Sequence, residues 1–270
     1  MGKTLLLISG AEPALARALR EKGHVPVVMD GDHQAPAFAF AESCLIADIW
    51  QASDCAAAAE RYNRKIRKLD GVLLAADAAL SAGSVSQRLR LAGLPLHVAE
   101  LANDRLMVKR AFLSAGVATP WHAQIATPQE LQRVVIARGR DLVLKPAEQL
   151  GPATIRSVAG MEDLAVGFQQ VKAASPSGRV MVEPAQETVL LAGFLLAGTC
   201  HMKAADNMRL LVERAASALG ISDGPVVAQV TQAGGELVEL SPRISADGEY
   251  LDAAVAWAIG ESVPAEDLVL

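Results

Sequence analysis

Cysteine is scarce. The three in this 270-residue chain, Cys44, Cys55 and Cys200, lie far apart in apolar or alanine-rich surroundings. That pattern supports neither a disulfide framework nor a CxxC metal site, and it fits a reducing cytoplasm. Positive charge is not in surplus either: 25 Lys and Arg face 30 Asp and Glu, a formal charge of -5 with no long basic run. This removes the electrostatic footprint of a nucleic-acid binder and leaves a small molecule as the expected partner. Long hydrophobic stretches are missing too. The apolar run after Lys3 stops at Ser9 and Gly10, too short for a signal segment or a membrane span, so no membrane partner is expected. The five histidines are scattered, none pairing at metal-ligand spacing, and Gly2, Lys3 and Thr4 lack the upstream strand and glycines of a P-loop. No internal repeat or low-complexity segment stands out.

What is present is apolar and periodic. With 51% hydrophobic and 20% charged residues, the chain can bury a sizeable core. Residues 4–9, 25–29, 44–47 and 72–76 read as apolar strands, separated by helical spacing at 10–22 and 54–68. Alternation of this kind implies a Rossmann-like parallel sheet with helices on both faces and a crevice at the carboxyl ends of its strands. A helix at 104–114 ends at Gly116, and a new pattern starts at Thr119 and Pro120. Thr127 with Pro128 caps a helix to about 137; strands are expected at 141–145, 179–183, 190–196, 226–232 and 236–240, with helices in 158–172 and 207–219. His201 falls in an expected turn, and Ala233, Gly234 and Gly235 signal a hairpin. The expected division is 1–115, 116–183 and 184–270.

Three strand ends carry chemistry. Lys145, at the end of Leu142 to Pro146, can present an ammonium to phosphate oxygens, although a strand-end lysine is in isolation more often a solvated edge charge. Glu183 ends a second strand and can accept from an adenine amino group; facing water is the plainer alternative. In the segment Glu239, Leu240, Ser241, Pro242, Arg243, alternation puts Glu239 and Ser241 on one face. A carboxylate there can hold Mg²⁺ together with nucleotide phosphates, and Arg243 can add charge against a γ-phosphate.

The order and spacing of these segments resemble the ATP-grasp superfamily, in particular its carbamoyl-phosphate-synthase-like branch of carboxylate-amine ligases. Asp104 and Arg105 resemble the pair that opens the helix before the small lobe. Ala115 to Pro120 resembles "aGvptP", Leu144 to Pro146 "vKP", Ala218 to Pro225 "alGi..Gp", and Glu239 to Arg243 "EiNPR". The resemblance implies an α/β fold in which a Rossmann-like pre-ATP-grasp domain precedes a two-lobed α+β ATP-grasp domain. It implies ATP and Mg²⁺ as cofactors and small-molecule carboxylate and amine substrates joined through an acyl phosphate. It assigns α- and β-phosphates to Arg105 and Lys145, adenine to Glu183 and Ala185, ribose to Glu187, and metal to Glu239, Gln229 and Ser241, with Arg243 and Lys145 at the transferring phosphoryl group. A homodimer is one assembly this reading allows. Asp77 and Ser81 stand where family members often bind the carboxylate substrate, with helix capping the plainer reading. The departures also carry information. Residues 147–154 hold one glycine and a proline where the family has a glycine-rich phosphate loop, Gln229 and Ser241 replace the usual acidic and Asn ligands, and the segment after Glu187 looks shortened. A non-catalytic relative that binds nucleotide or metabolite, or serves as a partner subunit, is therefore the competing expectation.

Overall fold

The four N-terminal apolar runs form one parallel sheet in the computed structural model, which describes residues 2–232 and 235–268. Strands β1 (Thr4–Ile8), β2 (Val25–Asp30), β3 (Ser43–Ile46) and β4 (Gly71–Leu74) lie in the order β3-β2-β1-β4. Helix α1 (Pro13–Glu21) joins β1 to β2, and α2 (Ala52–Lys65) joins β3 to β4. Leu5, Leu6, Leu7 and Ile8 are all 0% exposed. A strand covered on both faces has no reason to alternate, hence its unbroken apolar run. The parallel ladder sets Leu6 against Val27 and Val72, and Ile8 against Met29 and Leu74. These side chains share one core with α2, with α3 (Ala79–Leu89), whose start the capping reading of Asp77 and Ser81 implied, and with α4 (Leu96–Asn103), which was not apparent from sequence.

Helix α5 (Arg105–Ser114) leads out of this domain, with the Asp104 carboxylate accepting from Met107 N at 3.1 Å as its N-cap. The next lobe contains β5 (Ala123–Ile125), α6 (Pro128–Arg138), β6 (Leu142–Pro146), β7 (Arg156–Ser157), α7 (Leu164–Ala174) and β8 (Val180–Pro184). Its antiparallel sheet runs β5-β8-β6-β7. Thr127 caps α6 as expected, accepting from Glu130 N, while Glu130 reaches back to Ala126 N. Ile125, Leu131, Leu144, Phe168 and Val182 form a core separate from that of the parallel sheet, so this lobe can shift as one body.

A third sheet, ordered β10-β9-β11-β12, is built from β9 (Thr188–Leu196), β10 (Thr199–His201), β11 (Gly224–Thr231) and β12 (Leu237–Ser241), with α8 (Asp206–Leu219) packed on it and on α5. His201 lies in β10 and pairs with Phe194; the two-residue reversal at Ala197 and Gly198 before it carries the turn instead. Strands β11 and β12 pair antiparallel as the hairpin signal requires, although Ala233 and Gly234 themselves lie outside the described residues. Finally α9 (Leu251–Ala258) returns to the parallel sheet, where Ala253, Ala254 and Ala258 pack with Leu5, Leu7, Leu73 and α1. Gly71 makes this approach feasible, since a Cβ there would stand 2.7 Å from the Ala258 carbonyl oxygen. Among the described residues no helix is long and apolar enough to cross a membrane.

The segment after β6 folds back on the first domain. Gly151 sits at φ 83°, and an added Cβ would lie 2.8 Å from the Trp50 ring. Gly151→Ala is therefore expected to cost about 1–2 kcal/mol from the left-handed backbone alone, more if the indole cannot move. A lowered urea midpoint with unchanged slope checks this; an unshifted midpoint would show that the loop does not rest on Trp50.

Candidate functional site

Helix α5, the end of β6, β8 and β12 converge on one buried polar cluster. Its anchor is the start of α5: the Arg105 amide donates to the Ala147 carbonyl at 2.7 Å, and the Gln149 amide donates to the Asn103 carbonyl at 2.9 Å. The Arg105 guanidinium, 6% exposed, donates to the carbonyls of Pro146 at 3.0 Å and Glu148 at 2.6 Å, and to the side-chain oxygen of Gln149. Its Nε is buried without an acceptor.

One helical turn on, Lys109 lies on the same face of α5. Its ammonium donates to Thr119 Oγ1 at 2.9 Å and stands 3.1 Å from Glu183 Oε2, an ion pair off the line of a hydrogen bond. Lys145 meets the other oxygen, Oε1, at 2.5 Å. The β6 and β8 register sets Lys145 opposite Met181 and Val143 opposite Glu183, so the two charges meet diagonally on one face, within reach of a long side chain. Burial alone would push the Glu183 carboxyl up, but Lys145 and Lys109 outweigh it and hold the group below its usual 4.5. Burial pushes the Lys109 ammonium below its usual 10.5, with Glu183 opposing.

Across the cleft, Glu239 on β12 accepts from the Gln149 side-chain amide. Gln229 faces Glu239 directly in the β11 and β12 register and donates to Thr188 Oγ1 at 2.8 Å. Ser241 lies buried two residues further along β12. The space left among Arg105, Lys109, Lys145, Glu183 and Glu239 is about 10 Å³, room for one water. Three cations against two carboxylates leave one net positive charge in this closed cleft. Lys109 and Gln149 were not singled out from sequence; the spacing of Lys109 four residues after Arg105 was the available signal.

Other expected site residues lie elsewhere. Ala185 and Glu187 are exposed beyond the end of β8, and the Ala185 amide already donates to the Asp141 carbonyl at 2.9 Å. Arg243 donates to Asp77 Oδ1 at 2.8 Å and does not line the cleft that holds Lys145. Asp77 does not cap α3: Ala78 holds that position without a side-chain cap bond, and Ser81, inside the helix, donates to the Ile49 carbonyl at 2.6 Å. Arg243 and Asp77 instead line a cavity of about 780 Å³ at the carboxyl ends of β1, β2 and β4, lined also by Leu190 to Ala192 of β9.

The arrangement of a parallel α/β domain followed by two antiparallel sheets is shared with known structures. An L-amino acid ligase from Bacillus licheniformis superposes with a TM-score of 0.72 over 98% of this chain and 77% of that one, at 17% identity. A carboxyaminoimidazole ribonucleotide synthase from Aspergillus clavatus, complexed with ATP, superposes with a TM-score of 0.72 over 99% and 79%, at 13% identity. The fold is that of the ATP-grasp proteins. At the sequence level, D-alanine–D-alanine ligase from Bordetella petrii is 32% identical over 93 residues, 33% of this chain. That match spans only 28% of the relative's own length. No protein-family model matches the chain. The buried cluster lies between the sheet of β5 to β8 and the sheet of β9 to β12.

The donor set for a metal in this cleft is sparse. Among the described residues no three His, Cys, Asp or Glu side chains converge as a metal site. Of the residues expected to hold metal, Glu239 is the one carboxylate and lines the cleft, whereas Gln229 and Ser241 do not line it; a Mg²⁺ ion there would need further oxygen ligands from outside the protein.

Proposed function

We propose that the chain binds ATP between its small and large lobes and acts as an ATP-dependent carboxylate-amine ligase. The observation that supports this most is the one positive charge by which Arg105, Lys109 and Lys145 exceed Glu183 and Glu239 at the interlobe cleft. A buried positive charge left over once the carboxylates are counted calls for an anion, and the arrangement suits phosphate oxygens. When bound, Mg²⁺ would screen the charge of those phosphates. The proposed reaction has two steps. A substrate carboxylate oxygen attacks the γ-phosphorus and ADP leaves; an amine nitrogen then attacks the acyl carbon, loses a proton, and phosphate departs. Lys145 and Arg105 position the phosphates, and the work is mainly electrostatic.

The 780 Å³ cavity suits the acceptor substrate. Arg243, at its edge, can offset the charge of an incoming carboxylate. Against Arg243 and Lys203 stand Glu12, Asp30, Asp77, Asp247 and Glu249, so the lining is net negative. This favours an amine that carries positive charge over a phosphorylated substrate.

A second reading, a nucleotide-binding relative without catalysis, draws support from Gln229 and Ser241 at the metal position and from the glycine-poor segment held against Trp50. Calorimetric titration of ATP with and without Mg²⁺, followed by ADP release against a panel of amino and carboxylic acids, separates the two. The ligase reading expects substrate-dependent ADP release. ATP binding without turnover would favour the second, and absence of ATP binding would remove both.

A further inference from the structure

The contacts of Gln149 point to a role of their own, resting on the nucleotide-binding reading above. Its side chain is buried, yet it belongs to neither lobe's core: it spans the cleft from Arg105 on α5 to Glu239 on β12. The amide oxygen faces the guanidinium and the amide nitrogen faces the carboxylate. The reverse assignment would set NH₂ against Arg105 and oxygen against Glu239, so the partners themselves dictate this orientation. A nucleotide phosphate offers the same polarity to the arginine, and a phosphate-bound cation offers it to the carboxylate. We propose that Gln149 is a built-in stand-in for the phosphate and metal pair, closing the empty cleft and giving way when nucleotide enters.

Two further observations fit. The remaining space of about 10 Å³ admits no phosphate while Gln149 is in place. The Gln149 backbone amide is tied to the Asn103 carbonyl, so the side chain can swing out by rotamer change without unfolding its segment. Arg105, whose Nε lacks an acceptor, then gains a fuller partner than the neutral amide it loses. Ligand binding thus competes with an internal contact, and the population of the open form sets the apparent affinity.

The test uses the full chain and Mg·ATP, with calorimetric affinity and thermal midpoint measured on wild type, Gln149→Ala and Gln149→Asn, whose shorter amide cannot span both partners. Gln149→Ala is expected to lower the midpoint of the free protein and to bind about tenfold more tightly, with Gln149→Asn between it and wild type. Opposite shifts in stability and affinity are the signature, because a residue that is merely structural would lower both. Wild type that binds, with variants equal to it or weaker, overturns the stand-in role and leaves the nucleotide reading intact. Failure of all three to bind overturns both.

Discussion

Replacing Glu183 with alanine is expected to destabilise the protein by about 3–5 kcal/mol, among the largest effects open to a single substitution here. The carboxylate is 2% exposed and is shared by Lys145 at 2.5 Å and Lys109 at 3.1 Å. Without it two buried ammonium groups stand side by side with no counter-charge nearer than Glu239. Urea denaturation reads the loss, and a change under 1 kcal/mol would mean the cleft is wetter than its geometry implies. The same carboxylate predicts acid sensitivity. Its folded pKa is depressed below 4.5, so its contribution is fully present above that value and is lost as pH falls through it toward the folded one. Glu183→Gln should flatten that part of the stability profile.

Lys145→Ala should weaken ATP binding about ten- to a hundredfold, since a charged hydrogen bond inside a closed site is worth roughly 1.5–3 kcal/mol and each tenfold about 1.4. Folding should suffer less than in the Glu183 variant, because Glu183 keeps Lys109. Calorimetry on the folded variant decides the matter. Unchanged affinity would take the nucleotide away from β6.

Much of the fold was legible because buried parallel strands announce themselves as unbroken apolar runs, as Leu5 to Ile8 do. Two helices were not, and a third, α3, was implied only by the capping reading of Asp77 and Ser81. Helix α3 mixes Ala, Ser and Gly with little contrast between faces, α4 is short, and α9 is apolar on nearly every side because it is packed between the first sheet and the sheet of β9 to β12. At the site, Arg105, Lys145, Glu183 and Glu239 could be picked out from motif resemblance, and they do lie in one cleft. Lys109 could not be told from the many helix lysines that face water, although it is 2% exposed. The Arg243 contact with Asp77 joins residues 166 positions apart, and nothing local in either segment encodes it. Gln149 was hidden for another reason: a glutamine has no charge to betray a role, and its partners lie 44 and 90 positions away.

The return of α9 to the first sheet has a consequence for synthesis. Leu5, Leu7 and Leu73 face a layer whose completing residues, Ala253, Ala254 and Ala258, are translated long after β4. At about 5–20 residues per second, one face of the parallel sheet waits for roughly ten seconds or more with apolar side chains only half covered. Until α9 is made, the nascent N-terminal domain therefore carries an apolar face that its own residues cover only in part.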